Sequence, residues 1–150
     1  MRHGSRDLSG SDRLAAEGRE QAMQLSRDIQ EGRLPRPTRL IATPRVRSQE
    51  TLHFVAVALS LSIEADPQCD ERQPAEKVAE FEARVRMWTE NARLSAAGSC
   101  TLVVSHLDWL EAAALFLNSD ETELERAERW TPAARRYYFY QDGIWQRRLR

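Results

Sequence analysis

Residues 39 to 47 read Arg39-Leu40-Ile41-Ala42-Thr43-Pro44-Arg45-Val46-Arg47, and this stretch indicates the fold class. Its first half is a short apolar run of strand length, and it ends at a proline that cannot continue a ladder of backbone hydrogen bonds. The spacing of Thr51, Val55, Ala58 and Leu59 then predicts a helix over residues 45–59. A buried strand that leads through a polar loop into a helix is the repeating unit of an α/β protein.

The same alternation of helices and strands extends on both sides. Apolar positions predict a first helix from residue 14 to about residue 31, with Asp12 as a possible cap and Gly32 as a stop. The later pattern predicts an edge strand at 63–66, a helix between Pro74 and Gly98, a strand at 100–104, a helix at 107–117, a charged helix or loop at 120–129, and a hairpin of strands 135–140 and 144–149. We therefore expect a three-layer α/β/α sandwich with a mostly parallel open sheet.

Length and composition exclude several classes of protein. The 150 residues suit one domain, residues 1–150, and hydrophobic residues at 41% with charged residues at 30% are typical of a globular chain. No apolar run approaches the ~20 residues that span a bilayer. Lys and Arg number 22 against 23 Asp and Glu, so the chain lacks the positive excess of a nucleic-acid binder. We predict neither a membrane nor a nucleic-acid partner.

The cysteines point to a reducing compartment. Cys69 and Cys100 stand 31 residues apart without a CxxC motif, and no signal peptide opens the chain, so neither a disulfide framework nor a zinc ribbon is predicted. We expect a cytoplasmic location. Cys100 begins an apolar run and is predicted to be a core residue, whereas the polar surroundings of Cys69 predict a surface thiol.

Chemically capable side chains follow two of the predicted strands. Ligands of open α/β sheets bind at the carboxyl ends of the strands, which here are the loops at Thr43 and Ser105. The first loop places Arg45 and Arg47 at the amino end of a helix, where free backbone N–H groups also favour anions. His106 stands in the second loop. These residues, with the Arg-His pair near the N-terminus, predict a phosphate site.

Several short motifs lie in and around these loops. They are Arg2-His3-Gly4, then Leu14, Gly18 and Gln21-Ala22, then Thr43-Pro44-Arg45-Val46-Arg47 with Thr51, then residues 66–72 and Val103-Val104-Ser105-His106, and finally Pro132-Ala133-Ala134. In these motifs the sequence resembles the histidine phosphatase superfamily, the phosphoglycerate mutase-like enzymes named for an RHG signature. The resemblance covers nearly the whole chain, and the compact size is similar to that of the SixA-like phosphohistidine phosphatases.

The resemblance implies a function and a set of site residues. His3 would attack phosphorus and become phosphohistidine, while Arg2, Arg47 and His106 surround the phosphoryl oxygens and Glu71 protonates the leaving group. A phosphatase of this kind would need no metal and no cofactor. Its substrate would be a phosphorylated small molecule or a phosphoprotein, bound in an open cleft.

Two features depart from the family pattern. Only Met1 precedes Arg2, where the family has a strand of roughly five residues, so the first strand is expected to be missing or truncated. A non-catalytic module that binds phosphate or a phosphoprotein is therefore the alternative function. Arg45 stands where the family more often has an apolar residue. It is either a third cation of the site or a residue that lies on the surface of the helix. His53 is assigned no role.

Overall fold

A computed structural model describes residues 1–95, 99–117, 119–122, 125, 129–141 and 144–148. The elements in chain order are α1 (Ala16–Gln30), β1 (Arg39–Ala42), α2 (Val46–Leu59), β2 (Ile63–Ala65), a 3₁₀ turn (Pro67–Cys69), α3 (Val78–Leu94), β3 (Thr101–Val104), α4 (Leu107–Phe116), β4 (Tyr137–Gln141) and β5 (Ile144–Arg148). Within these ranges, no helix has both the length and the apolar character needed to cross a bilayer.

The central sheet is parallel, with strand order β2-β1-β3. Leu40 lies opposite Ile63 on one side and Leu102 on the other. Because side chains alternate across a strand, Leu40 and Ala42 face one helical layer and Ile41 faces the other. The predicted open parallel sheet is confirmed.

Helices cover both faces of this sheet. Leu25 and Ile29 of α1 pack with Leu52 and Val55 of α2 against the first face. The second face is covered by α3 and α4, through Phe81, Val85, Trp109 and Leu110. Full burial of each such side chain stabilises the fold by about 1.5–3 kcal/mol. The predicted α/β/α layering is therefore also confirmed.

The first three residues act as a very short first strand. The Met1 amine donates to the Val103 carbonyl (2.9 Å), and the His3 amide donates to the Ser105 carbonyl (3.1 Å). On their other side, the Ala133 amide donates to the His3 carbonyl at 3.1 Å. Burial lowers the pKa of the Met1 amine to about 5. His3 is therefore held by backbone hydrogen bonds on both sides.

A cavity of about 870 Å³ borders this short strand. Its lining includes Met1, Val103, Trp109, Trp130 and Tyr137. The buried indole nitrogen of Trp130 has no hydrogen-bond partner among the residues that the structure describes. The segment that carries His3 therefore lies at the border of a largely aromatic and apolar space.

The C-terminal strands β4 and β5 pair antiparallel, from Tyr137 opposite Arg148 to Gln141 opposite Ile144. This pairing confirms the predicted hairpin, although its turn at residues 142–143 lies outside the described residues.

The predicted charged segment at 120–129 is described only in part, because residues 123–124 and 126–128 also lie outside the described residues. Glu121 of that segment is buried, with its carboxylate 3.4 Å from Arg136 and 3.2 Å from Arg147.

The exposure predicted for Cys69 is wrong, and Cys100 is less buried than predicted. Cys69 is fully buried, because Asp66 caps the 3₁₀ turn by accepting from the Gln68 amide (2.9 Å) and the turn directs Cys69 into the core. Cys100 is half-buried just before β3. Both thiols are free, and burial raises the pKa of each.

Candidate active site

Two imidazoles and one guanidinium converge at the carboxyl edge of the sheet. The ring centres of His3 and His106 are 5.1 Å apart. The Arg47 side chain lies between them, with Nε 3.4 Å from His3 Nε2 and Nη2 3.1 Å from His106 Nδ1. All three residues are at least 94% buried. The structure thus brings together three of the predicted site residues, which come from separate parts of the chain.

The hydrogen bonds of His3 determine which ring nitrogen carries the proton. Nδ1 is 2.7 Å from the Gly4 carbonyl oxygen, and a carbonyl can only accept, so Nδ1 is the protonated nitrogen. Nε2 then holds a lone pair, which accepts from the Arg47 Nε–H. A lone pair at this position is a usable nucleophile.

Thr51 ties the His3 segment to the helix that carries Arg47. Its hydroxyl accepts from the Gly4 amide (3.1 Å) and donates to the Arg47 carbonyl (2.7 Å). One buried side chain therefore sets the spacing between the imidazole and the guanidinium.

Helix α1 approaches the same segment very closely. A Cβ atom built on Gly18 would lie 2.1 Å from the Ser5 carbonyl oxygen, so no larger residue fits there without moving Ser5. The Gln21 side chain accepts from the Ser5 amide at 2.9 Å. These motif positions hold the backbone that follows His3.

His106 is held from behind by two oxygen atoms. Its Nε2 lies 3.0 Å from Thr43 Oγ1 and 3.1 Å from Asp70 Oδ1. Its Nδ1 faces a guanidinium N–H, which can only donate, so the proton of the neutral ring is on Nε2. Sequence reasoning missed Asp70 as the partner of His106. The signal was available, because the loop after β2 ends at the same sheet edge as the loops after β1 and β3.

Glu71 lies at the mouth of the site. Its Oε1 is 3.1 Å from Arg47 Nη2 and 3.2 Å from Arg45 Nη2, and its Oε2 is 3.9 Å from His106 Nδ1. The side chain is one-third exposed. The structure therefore places this predicted acid next to both the guanidinium and the second imidazole.

The remaining two arginines have different surroundings. Arg2 donates through Nη1 to the Trp130 carbonyl, and its charge is near enough to lower the pKa of His3. Arg45 pairs with Asp70 (3.3 Å) and Glu71 (3.2 Å). Of the two alternatives for Arg45, these contacts favour a third cation of the site over a cover of the helix surface.

Asp12 is not the cap of the first helix. The helix begins after Ala15, where no side chain caps it. The Asp12 carboxylate instead pairs with Arg47 Nη1 and accepts from the Val46 amide (2.9 Å) at the start of α2. The local cap pattern was outweighed by a charged partner and a free helix N-terminus elsewhere in the fold.

Both histidines are neutral at pH 7. Burial lowers the pKa of His3 below its ordinary 6.5, and the charges of Arg47 and Arg2 lower it further against the opposing Gly4 hydrogen bond. Burial also lowers the pKa of His106, together with the Arg47 and His3 charges and against the Asp70 charge. The nucleophilic lone pair is thus available without a prior proton transfer.

The lowered pKa of His106 makes stability depend on pH. Below 6.5 the unfolded chain binds a proton at His106 that the folded protein does not, so the free energy of unfolding falls as the pH drops. Between pH 7 and pH 5 we expect His106 to account for a loss of about 1–2 kcal/mol. Urea unfolding of wild type and of His106→Gln, each at pH 7 and at pH 5, measures this loss in the free energy of unfolding. Equal pH dependence in the two proteins would contradict the assignment, and His53→Gln, at an exposed site, is the control.

The set of side chains is suited to anion chemistry. The buried Arg47 cation can stabilise a phosphoryl group, and the nearby His3 lone pair can attack it. Among the described residues, no group of three or more His, Cys, Asp or Glu is placed to hold a metal ion.

No protein-family profile and no curated protein sequence matches the chain, whereas solved structures do. A putative α-ribazole-5′-P phosphatase from Escherichia coli matches with a TM-score of 0.76, over 99% of this chain and 92% of that one, at 18% identity. Phosphoserine phosphatase from Entamoeba histolytica, solved as a mutant with phosphoserine, gives 0.74 over 97% and 91% at 13% identity. The protein histidine phosphatase SixA with tungstate gives 0.67 over 99% and 92% at 22% identity.

Identities this low establish a common fold and leave activity to be argued from the site. The layers, the parallel sheet and the coverage of nearly the whole chain agree with these structures. The chain therefore shares the α/β/α fold of these solved phosphatases, which is the phosphoglycerate mutase-like fold.

Proposed function

We propose that the protein is a phosphatase that hydrolyses phosphate monoesters or phosphoramidates through a phosphohistidine on His3. One observation carries the proposal: the His3 Nε2 lone pair is buried between Arg47 and His106, with Nδ1–H held by the Gly4 carbonyl. A neutral imidazole beside a fixed cation is the arrangement that nucleophilic attack on a phosphoryl group needs.

In the first step, His3 Nε2 attacks phosphorus and the bond between phosphorus and the leaving group breaks. The leaving atom takes its electron pair and receives a proton from Glu71, which takes up that proton from solvent when the anionic substrate displaces it from Arg47. Arg47 exchanges its contacts with the two imidazoles for contacts with phosphoryl oxygens. The substrate binds as its monoanion, whose phosphoryl hydroxyl passes its proton to His106 Nδ1. The resulting N–H donates a hydrogen bond back to that oxygen, and Asp70, 3.1 Å from Nε2, stabilises the imidazolium.

In the second step, water attacks the phosphorus of phosphohistidine. The Glu71 carboxylate accepts a proton from that water, the bond from nitrogen to phosphorus breaks, and inorganic phosphate leaves. His3 recovers its lone pair, the His106 Nδ1 proton returns to the departing phosphate, and Glu71 releases its proton to solvent as it pairs with Arg47 again. The cycle therefore closes without a metal or a cofactor. Arg2 supplies a further cation once its guanidinium turns from the Trp130 carbonyl to a phosphoryl oxygen.

The substrate is proposed to be a phosphorylated small molecule or a phosphoprotein. The solved structures with this fold include enzymes described as acting on protein histidine, phosphoserine and an α-ribazole phosphate. Glu71 is one-third exposed, so a leaving group can reach it from solvent. The two free cysteines support a reducing, cytoplasmic location.

Trapping the covalent intermediate tests the proposal directly. Wild type mixed with para-nitrophenyl phosphate and quenched in alkali is expected to carry one phosphoryl group on the peptide that contains His3, as measured by mass spectrometry. His3→Ala is the control and should carry none. Binding of phosphate without turnover or label in wild type would instead support the alternative, a non-catalytic phosphate-binding module.

The role of Glu71 predicts a dependence on the leaving group. An alkoxide needs a proton to depart, whereas para-nitrophenolate does not. We expect Glu71→Gln to lower kcat for an alkyl phosphate by about a hundredfold, within the usual range for a general acid, and to affect the nitrophenyl ester far less. Equal losses on both esters would contradict the assignment. Glu64→Gln, in an exposed ion pair with Arg39, is the matched control.

A further inference from the structure

The carboxylate of Asp12 occupies a place that would suit an external anion. It contacts a buried guanidinium through Arg47 Nη1, and it accepts from the backbone N–H of Val46 at the beginning of the 14-residue helix α2. Both partners bind phosphate and carboxylate groups in proteins. Nη1 is distinct from the two Arg47 nitrogens that contact the imidazoles. Asp12 therefore sits directly beside the proposed phosphoryl position without filling it.

The loop that carries Asp12 is built to hold it there. Its base is closed by the Asp7 amide, which donates to the Arg13 carbonyl at 2.9 Å. A second contact with α2 comes from Glu50, whose carboxylate accepts from the Leu14 amide (2.8 Å) and pairs with Arg13 (2.9 Å). The loop is thus attached to the first two turns of α2 at two points, one of which is Asp12 itself.

Two guanidinium groups of the site already have carboxylate partners. Arg45 pairs with Asp70 and Glu71, and Arg47 pairs with Asp12 and Glu71. One phosphoryl group can bind if Arg47 exchanges its contacts with the two imidazoles for contacts with phosphoryl oxygens. A second anionic group close to the first would meet a position that already holds a carboxylate.

We propose that Asp12 is a specificity-determining residue that excludes substrates with a second anionic group next to the phosphoryl group. This inference rests on the proposed function and deepens it. The substrate class becomes monophosphates whose leaving group is neutral or cationic near the phosphorus, as in a phosphorylated side chain. Bisphosphates and phosphorylated carboxylic acids with adjacent charges are disfavoured.

A matched pair of inert ligands tests the inference by binding alone. Methylphosphonate carries one anionic group and methylenediphosphonate carries two, and neither has a bond that a phosphatase hydrolyses. Calorimetric titration gives the ratio of their dissociation constants for wild type, Asp12→Ala and Asp12→Asn. Asp7→Ala is the control, because it removes the same charge from the same loop, where the carboxylate binds only Ser9 and Ser11 in the described contacts.

We expect Asp12→Ala to shift this ratio about tenfold in favour of the diphosphonate, the equivalent of one charge-assisted hydrogen bond. Asp12→Asn should shift it in the same direction by less, and Asp7→Ala should leave it unchanged. An unchanged ratio in both Asp12 variants, or an equal shift in Asp7→Ala, would overturn the inference. If Asp12→Ala does not fold, the ratio of dissociation constants measured for Asp12→Asn tests the inference.

The outcome is independent of the test of the proposed function. A shifted ratio in a protein that forms no phosphohistidine keeps the specificity role and rejects the enzyme. An unshifted ratio in a protein that does form it rejects the specificity role alone. If neither ligand binds to any variant, the specificity role is rejected, and the trapping of phosphohistidine still decides the proposed function.

Discussion

Replacing His3 with alanine is expected to lower kcat for para-nitrophenyl phosphate by at least about a thousandfold, because loss of a nucleophile removes the covalent route altogether. His3 is the residue with a lone pair aimed at the space between Arg47 and His106. Steady-state kinetics at pH 7 measure the loss.

The matched control is His53→Ala, which removes an exposed imidazole on α2. Its kcat should equal that of wild type. Activity of His3→Ala within tenfold of wild type would eliminate His3 as the nucleophile. Urea unfolding of both variants shows whether the fold is kept, because His3 is buried and its ring packs against His106.

Arg47→Ala is expected to lower kcat/KM by about a hundredfold to ten-thousandfold. Arginines that stabilise the charge of a transferring phosphoryl group have effects of this size or larger. Arg47 is also the common partner of both imidazoles and of Glu71, so its loss disturbs the geometry of the whole site. Arg47→Lys should recover only part of the activity, because an ammonium cannot make the two-pronged contact.

Alanine variants of two other arginines serve as comparisons for Arg47→Ala. Arg39→Ala removes a cation from the opposite end of β1, where it pairs with Glu64 in solvent, and should leave kcat/KM unchanged. Arg45→Ala should have an intermediate effect, since Arg45 reaches the site only through Asp70 and Glu71. If Arg47→Ala and Arg39→Ala behave alike, the guanidinium of Arg47 has no part in turnover.

Local periodicity predicted the layers of this fold correctly. The buried positions Ala22, Leu25 and Ile29 of α1 are those that the helical spacing identified, and the strand that contains Leu40 lies in the middle of the sheet as its apolar run indicated. These features follow from burial of one face of a helix or both faces of a strand, which leaves a repeating pattern in the sequence.

Contacts between distant loops leave no such pattern. Asp70 meets His106 across 36 residues, and Asp12 meets Arg47 across 35. Both contacts depend on the strand order β2-β1-β3, which no local window of sequence contains. Cys69 was misassigned for a similar reason, since a turn of three residues is too short for periodicity to show which side chain faces inward.

The two carboxylates that share Arg47 also bear on the end of the proposed cycle. A buried guanidinium left without a partner would hold the departing phosphate tightly, because an uncompensated buried charge costs about 3–5 kcal/mol. Here Asp12 stays paired with Arg47, and Glu71 pairs with it again as the anion dissociates. Release of phosphate therefore leaves the Arg47 guanidinium paired with carboxylates. The empty site does not need to bind another anion from solvent.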